Sequence, residues 1–322
     1  MQVRALTRLS FSRAGYYTCH TLEPVESEED VIQKNVIVDF DNTLGVRGCD
    51  VDDGLALLGL LGTEGVQVEA VCTCYGNSDI ETVTHNTQRM FAEMGIDLPV
   101  YRGCSGPDEL QSDASRFLAK AAADRPGELS LLATGSMTNL LGASLVDPFF
   151  FGNLREIVCM GGISQSLVIT PGHIMDELNF SCDANATLAM LSSPCPVTIA
   201  TAQNCMPASF QREGLVREFS DDSWLCRTVD YWFHDMDAAY DWEGWICWDL
   251  VAAFALCRPH LFEWPTMDIT LNKRFIQAGY LERAVEDAPS ATVSTPVIIE
   301  ADAFRAEAYE AWHAALAKLG VA

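Results

Sequence analysis

The chain has 322 residues and is strongly acidic, with 45 Asp and Glu against 20 Lys and Arg and a formal net charge of -25. Hydrophobic residues make up 49% of it, enough to fill a substantial core, which excludes a disordered or fibrous chain. An acidic surface repels nucleic-acid phosphates and anionic lipids, and no apolar run in the sequence is long enough to span a membrane. The composition therefore favours a protein that acts on small molecules, without nucleic-acid or membrane partners.

The first 34 residues are predicted to form an N-terminal extension. Arg4, Arg8 and Arg13 precede the first acid, Glu23, and a basic segment of this kind resembles an organellar leader. A plain terminal extension explains the same composition. No repeat or low-complexity linker divides the remainder, so residues 35–322 are predicted to form a single catalytic domain.

The 12 cysteines contain no CxxC pair, and Cys72, Cys159 and Cys257 lie inside apolar runs. Thiols in such positions are typical of small core residues in a reducing compartment. We therefore expect a cytoplasmic protein without a disulfide framework or a zinc site.

Short β-branched runs alternate with helical segments from about Asn35 onward. The predicted strands are NVIVDFD (35–41), VQVEAVCTC (66–74), LPVYRG (98–103), ELSLLATG (128–135), LREIVCMGG (154–162) and CPVTIAT (195–201). Helices are predicted over residues 51–62, 80–94 and the tryptophan-rich stretch 224–248, and residues 294–320 read as a final strand and an amphipathic helix. Strands separated by helices predict an α/β fold with an open, mostly parallel central sheet, helices on both faces and a Rossmann-like core.

Five aspartates lie within the fifteen residues from 39 to 53. Asp39 and Asp41 end the first strand, and Asp50, Asp52 and Asp53 begin the next helix. Parallel sheets bind ligands at the carboxyl ends of their strands, where crowded carboxylates repel unless a cation joins them. Carboxylates without His or Cys favour Ca²⁺ or Mg²⁺ over zinc. An acidic first helical turn explains these residues without a metal, and we prefer that explanation for Asp50 but not for Asp41 or Asp53.

The segment VDFDNTL (38–44) resembles the first motif of haloacid-dehalogenase-type phosphatases. That resemblance implies a Mg²⁺-dependent phosphatase in which Asp39 is the nucleophile and Asp41 the acid. The family also uses an acidic pair at a later strand end, whereas the strand ends ATGS and MGGIS carry no acid. This alternative depends on one motif.

A second resemblance extends over more than 200 residues. Seven segments occur in the order found in the inosine-uridine-preferring nucleoside hydrolases: DFD (39–41), DVDDGLAL (50–57), CYGN (74–77), LLATGSMTNL (131–140), IVCMGGI (157–163), DELNFSCDANAT (176–187) and CWDLVAAFAL (247–256). The order of the segments identifies the chain as a member of this family. Membership implies a nucleoside hydrolase-like fold, hydrolysis of the N-glycosidic bond of ribonucleosides for purine or pyrimidine salvage, and a homodimer or homotetramer.

The resemblance also implies a residue for each part of the site. A single Ca²⁺, in preference to Mg²⁺, is expected to bind Asp41, Asp53, Asp249 and the main-chain carbonyl of Thr134. Asp41 is expected to be the catalytic base that takes a proton from the Ca²⁺-bound water. Asp52 is expected to accept a hydrogen bond from the ribose 2′-hydroxyl. The remaining substrate-binding positions are Asn77, Met160, Glu177, Asn179 and Trp248.

Several of these residues have structural explanations as well. Asn77 follows a glycine and suits a turn. Glu177 and Asn179 alternate with an apolar residue, as on the polar side of a strand, and Thr134 and Asn139 suit helix caps.

Three departures from the family pattern bear on function. Residues 42–51 stand where the family has three residues, and we expect this insertion to act as a lid. The family Asn that contacts the 5′-hydroxyl has no clear match, since Val168 precedes Ile169-Thr170-Pro171 and three extra residues separate that Pro from Glu177. Trp248 replaces the family His, and an indole N–H cannot exchange a proton near neutral pH. A non-catalytic ribose or nucleoside binder is therefore a further alternative, and the base preference stays open.

Overall fold

The structure is a computed structural model that describes residues 33–321. Nearly all of the N-terminal extension predicted for residues 1–34, with its leader-like arginines, lies outside the described residues. The domain boundary at residue 35 therefore stays a prediction, although the first strand does begin at Lys34.

The described chain is organised around an eight-stranded sheet in the order β12-β13-β8-β5-β4-β1-β2-β3, in which every neighbouring pair is parallel except β12 with β13. Its strands are β1 (Lys34–Phe40), β2 (Val66–Thr73), β3 (Val100–Tyr101), β4 (Leu129–Ala133), β5 (Glu156–Met160), β8 (Val197–Ala200), β12 (Thr266–Thr270) and β13 (Ser290–Ser294). The predicted α/β fold with a mostly parallel sheet is confirmed.

Three antiparallel ribbons lie outside this sheet. They pair β6 (Leu167–Thr170) with β7 (His173–Met175), β9 (Ser209–Gln211) with β10 (Gly244–Ile246), and β11 (Phe262–Glu263) with β14 (Val297–Ile298). The final strand predicted near residue 294 is therefore split, because Ser290–Ser294 joins the central sheet while Val297–Ile298 pairs elsewhere.

The helices are α1 (Asp52–Leu61), α2 (Ile80–Met94), α3 (Asp113–Asp124), α4 (Thr138–Val146), α5 (Phe150–Asn153), α6 (Ala184–Leu191), α7 (Ala202–Cys205), α8 (Arg212–Phe219), α9 (Trp224–Tyr240), α10 (Trp248–Cys257), α11 (Lys273–Ile276) and α12 (Ala301–Leu319). Short 3₁₀ turns cover Ser181–Asp183 and Pro259–Leu261. The tryptophan-rich stretch is helical only as far as Tyr240, since β10 follows it. No helix among residues 33–321 has the length and apolar character needed to cross a membrane.

Alternate residues of β1 face two separate layers of core. Val36, Val38 and Phe40 belong to the cluster that contains α1, α10 and α12, whereas Ile37 belongs to the cluster that contains α3, α4 and α6. This division follows from the two-residue period of a strand covered on both faces. Burial of both faces fixes the register of β1, and with it the position of the acidic residues at its end.

Candidate functional site

A cavity of about 550 Å³ opens at the carboxyl edge of the sheet. Its residues come from the ends of β2, β4 and β5, from the starts of α1, α7 and α10, from the β6–β7 ribbon and from α9. They are Gly48, Cys49, Asp50, Asp52, Gly76, Asn77, Thr134, Met160, Leu167, Ile174, Met175, Asp176, Glu177, Leu178, Asn179, Ala202, Trp232, Tyr240, Trp248 and Asp249. The cavity therefore lies where parallel sheets bind their ligands.

Three buried carboxylates meet at the floor of this cavity. Asp52, Asp53 and Asp249 each place an oxygen within 4.8 Å of the others. Asp52 and Asp53 begin α1, and Asp249 is the second residue of α10. The main-chain N–H of Asp249 also donates a hydrogen bond to Asp52 Oδ2 across 3.0 Å. Folding therefore brings together residues that lie 197 positions apart.

Two helix N-termini point at the carboxylate trio. Neither α1 nor α10 has a side-chain cap, because Val51 and Cys247 stand at their N-cap positions. The free main-chain N–H groups and the positive ends of the two helix dipoles favour negative charge at this place. They offset part of the repulsion among the three aspartates.

Asp41 lies beneath the cavity wall and is fully buried. Its Oδ2 accepts a hydrogen bond from the main-chain N–H of Asn77 at 2.6 Å, and its Oδ1 accepts one from Asn77 Nδ2 at 3.3 Å. Asn77 Nδ2 also donates to Asp53 Oδ2 at 3.2 Å, so this amide bridges the two carboxylates. A Cβ at Gly76 would lie 1.9 Å from Asp41 Oδ2, and one at Gly135 would lie 3.1 Å from its Cγ. A side chain at Gly76 would collide with Asp41 and one at Gly135 would crowd it, so Gly at both positions leaves Asp41 its place.

Thr134 contacts Asp53 and the amide of Asn179. The Thr134 hydroxyl donates to Asp53 Oδ1 at 3.0 Å, and Asn179 Nδ2 donates to the Thr134 carbonyl at 3.0 Å. Thr134 therefore does not cap a helix. Asn139 does not cap one either, because its Nδ2 donates to Asp39 Oδ2 and to the Thr73 carbonyl, each at 2.9 Å. The helix-cap explanation was wrong for both residues.

Burial and mutual repulsion keep these carboxylates from ionising at their ordinary pKa. Burial raises the pKa of Asp41 to about 7 and that of Asp52 to about 6. Burial raises the pKa of Asp53 and of Asp249 well above the usual range of an aspartate, and the charges of neighbouring aspartates raise it further. A site of carboxylate oxygens with unfavourable negative charge is the chemistry that a hard divalent cation satisfies. The residues present therefore fit Ca²⁺ or Mg²⁺.

The structure places the predicted site residues in and below one cavity, and three of the carboxylates form a closer group than the others. Asp52, expected only as a contact to the sugar, belongs to the close trio with Asp53 and Asp249. Asp41 lies outside that trio and reaches it through Asn77. The carbonyl of Thr134 belongs to a residue that lines the same floor.

Glu177 and Asn179 lie in an irregular segment, so their interpretation as the polar side of a strand was wrong. Glu177 accepts main-chain hydrogen bonds from Gly162, Phe180 and Ser181 at 3.1, 2.7 and 2.9 Å. Burial raises its pKa, and these donors partly offset that effect. Asn179 Nδ2 also donates to the Met160 carbonyl at 3.2 Å.

Aromatic side chains form another wall of the cavity. Trp248 is buried and begins α10, while Trp232 and Tyr240 project from α9. The sequence predicted Trp248 but missed the other two. Trp232 and Tyr240 are eight residues apart, so they lie on one face of a helix. The sequence alone did not show that this face of α9 lies beside the cavity.

Asp50 lines the cavity, which the interpretation as a surface helix start did not anticipate. It lies two residues before α1, and its Oδ1 accepts a hydrogen bond from Val51 N–H at 2.7 Å. The inserted segment that carries it contacts α9 at two points. Tyr231 Oη donates to the Cys49 carbonyl at 3.2 Å, and Gly48 N–H donates to Asp235 Oδ2 at 3.3 Å.

Asp39, the nucleophile of the phosphatase alternative, does not reach the cavity. It is fully buried, its Oδ2 accepts the bond from Asn139, and its Oδ1 has no partner among residues 33–321. A nucleophile must touch its substrate. The structure therefore does not favour that alternative.

An α/β sheet with a carboxylate-floored cavity at its carboxyl edge places this chain among the α/β proteins with a site suited to a divalent cation and a small polar ligand. The model of the family described as inosine-uridine preferring nucleoside hydrolase matches residues 36–306. The chain belongs to the inosine-uridine preferring nucleoside hydrolase family. It is accordingly a hydrolase that acts on N-glycosyl compounds.

Individual relatives have low sequence identity to this chain but match most of its length. Uridine nucleosidase 1 of Arabidopsis thaliana is 23% identical over 294 residues, covering 79% of this chain and 83% of that protein. Probable uridine nucleosidase 2 of the same plant is 24% identical over 315 residues, covering 84% of this chain and 95% of that protein. These similarities extend over most of both chains.

Two solved structures share the fold at 20% identity and a TM-score of 0.75. The plant nucleoside hydrolase PpNRh1 covers 87% of this chain and 98% of its own. The purine-preferring ribonucleoside hydrolase from Gardnerella vaginalis covers 88% of this chain and 99% of its own. The predicted nucleoside hydrolase-like fold is confirmed.

Proposed function

We propose that the protein hydrolyses the N-glycosidic bond of ribonucleosides to release the free base and ribose, with Ca²⁺ at the cavity floor and Asp41 as general base. The observation that carries this proposal is the trio of Asp52, Asp53 and Asp249 at the floor of a cavity of about 550 Å³. Amides of Asn77 and Asn179 line the same floor. Carboxylates and amides together suit a metal ion and a sugar diol.

By the family resemblance, Asp41, Asp53, Asp249 and the carbonyl of Thr134 would hold the cation. The structure adds Asp52, which forms the close trio with Asp53 and Asp249. The three side chains of the trio are all carboxylates, which suit a hard divalent cation, and the family resemblance favours Ca²⁺ over Mg²⁺. When bound, a divalent cation neutralises the carboxylates and polarises water and sugar hydroxyls. The bridge from Asn77 Nδ2 holds the carboxylates of Asp41 and Asp53 side by side.

The carboxylates of the chain match the charge that the reaction develops. Breaking the bond between C1′ and the base nitrogen leaves positive charge on the sugar, while the electron pair departs with the base. Fixed carboxylates in a buried site stabilise that positive charge. Asp41 takes a proton from the attacking water as the water oxygen bonds to C1′. Asp52, Asn77, Glu177 and Asn179 hold the ribose hydroxyls, and Met160 packs beside the sugar.

Trp248 supplies a flat surface for the base but no proton for it. The departing base therefore takes its proton from another group or from solvent. Relatives include uridine nucleosidases and a purine-preferring hydrolase, so similarity alone selects no base.

The inserted segment 42–51 acts as a lid over the part of the cavity that Gly48, Cys49 and Asp50 line.

The test is an assay of free ribose with the full-length protein, Ca²⁺ and a panel of purine and pyrimidine ribonucleosides. Release of ribose and base in equal amounts supports the proposal. Binding of nucleosides without release of ribose would instead support the non-catalytic binder.

We also propose a homodimer or homotetramer, supported by the family resemblance and by the apolar side chains of Leu145 and Phe149, which are 60% and 74% exposed. A cytoplasmic location is proposed as well, from the cysteines that lie inside apolar runs. Light scattering on the purified protein tests the assembly. A monomeric mass at micromolar concentration would contradict it.

A further inference from the structure

One wall of the cavity has no part in the chemistry above. Leu167, Ile174 and Met175 of the β6–β7 ribbon, together with Leu178, line the cavity. Ile174 is 61% exposed and Leu178 is 40% exposed. Large apolar side chains left open inside a binding cavity mark a surface that a ligand covers.

Polar groups beside this wall are already engaged or carry negative charge. The carboxylate of Glu177 accepts three main-chain hydrogen bonds, from Gly162, Phe180 and Ser181. Asp176 is an exposed acid on the same segment. None of the residues that the described chain contributes to the cavity is Lys or Arg. A phosphate group therefore meets no cation at this wall, and the side chains that form the wall itself offer a hydroxyl no hydrogen-bond partner.

On the proposed function, the other surfaces of the cavity take the remaining parts of a nucleoside. The ribose diol would lie at the carboxylates and amides of the floor, and the planar base would lie against Trp232, Tyr240 and Trp248. The apolar ribbon leads directly into the ribose-binding segment, because Met175 is two residues before Glu177. The part of a nucleoside left to face the ribbon is the 5′ carbon.

We infer that the preferred substrate is a ribonucleoside in which an apolar group, such as an alkylthio group, replaces the 5′-hydroxyl. This inference rests on the proposed function and narrows its substrate class. Ile174 is then a residue that determines specificity, since it covers the substituent without touching the reacting bond. Nucleoside 5′-monophosphates are excluded by the acids and by the lack of a cationic partner.

The experiment compares nucleosides that share a base and differ only at C5′. The full-length protein with Ca²⁺ is given 5′-methylthio-5′-deoxynucleosides, the parent nucleosides and their 5′-monophosphates, each with adenine, hypoxanthine or uracil. Both kcat/KM and, by calorimetry, Kd are measured. Compared with the parent nucleoside, we expect the methylthio compound to have a kcat/KM about tenfold or more higher and a Kd about tenfold or more lower. Burial of one small apolar group has an effect of that size. The monophosphates should not be hydrolysed.

Three variants locate the effect. Ile174→Ser should reduce the preference to about threefold or less, and Ile174→Leu should keep it. His173→Ala is the control, since His173 pairs with Thr170 in the same ribbon and is exposed but does not line the cavity. It should keep the preference, so that damage to the ribbon as a whole is separated from loss of the Ile174 side chain.

Equal or better use of the parent nucleosides by the wild-type protein would overturn the inference. If no nucleoside is hydrolysed, the proposed function fails. The ratio of the Kd values of the parent and methylthio nucleosides then shows by itself whether the cavity prefers an apolar group at C5′.

Discussion

The main-chain N–H of Asp249 donates a hydrogen bond to Asp52 Oδ2 across 3.0 Å and so joins the first turns of α10 and α1. The two helices also pack closely, since a Cβ at Gly59 of α1 would lie 2.6 Å from Leu250 Cδ1 of α10. Packing in the core thereby sets the spacing of the carboxylates at the cavity floor. The close approach of Asp52, Asp53 and Asp249 is a consequence of how these two helices meet.

Replacing Asp41 by Asn should lower kcat by about 10² to 10⁴ while leaving the fold intact. The amide keeps the shape of the side chain but cannot accept the proton of water. Because Asn is uncharged, it also removes a carboxylate whose ionisation burial disfavours, so thermal stability should not fall. Ribose release and a melting curve measure the two effects. Undiminished turnover would remove Asp41 from the mechanism; Asp124→Asn, on the exposed end of α3, is the control.

Ca²⁺ should raise the melting temperature of the wild-type protein, since it binds only where the three carboxylates are assembled. At a Ca²⁺ concentration 100 times Kd, the added free energy of unfolding is about 2.7 kcal/mol. Asp249→Asn should abolish most of this increase because it removes one ligand of the trio. Differential scanning calorimetry with Ca²⁺ or with chelator measures it. An identical increase in the Asp249→Asn variant would show that the cation binds elsewhere.

Gly76→Ala should inactivate the enzyme without unfolding it. The added Cβ would lie 1.9 Å from Asp41 Oδ2, so Asp41 must move away from Asn77 and Asp53. Gly106→Ala is the matched control, because a Cβ there meets no atom of the described chain within 4 Å. The kcat of both variants with one nucleoside checks the prediction. Equal activity in the two would contradict the placement of Asp41.

Asp235→Ala should raise KM more than it lowers kcat. It removes the acceptor for Gly48 N–H and loosens the inserted segment that carries Cys49 and Asp50 to the cavity. We expect an increase of about tenfold, because a poorly held lid covers the substrate only part of the time. Asp237→Ala, on the exposed face of the same helix, serves as the control. A KM equal to that of the wild type would show that this contact does not hold a lid.

Local patterns predicted the elements that position the floor of the site. The apolar run before Asp39 indicated β1, and the acidic turn followed by leucines indicated α1, which spans Asp52–Leu61. The second helix was predicted over residues 80–94 and is found at Ile80–Met94. β1 and α1 are short apolar runs that are buried on nearly every side, whereas α2 has a helical period of apolar residues that matches its buried face.

Features that depend on tertiary contacts were not predicted. Asp50 resembles any acidic residue before a helix, and only the contacts of its loop with Tyr231 and Asp235 turn it toward the cavity. The β6–β7 ribbon is too short for a clear alternation pattern. The bridge from Asn77 to Asp41 and Asp53 joins segments separated in sequence, so no local signal announces it.

The most direct measurement is the release of free ribose from ribonucleosides by the full-length protein, with Ca²⁺ and again after chelation. Ribose and base should appear in a one-to-one ratio with Ca²⁺, and chelation should stop their release until Ca²⁺ is restored. Failure to release ribose from any nucleoside, or a rate unaffected by chelation, would contradict a metal-assisted nucleoside hydrolase built on Asp41, Asp53 and Asp249.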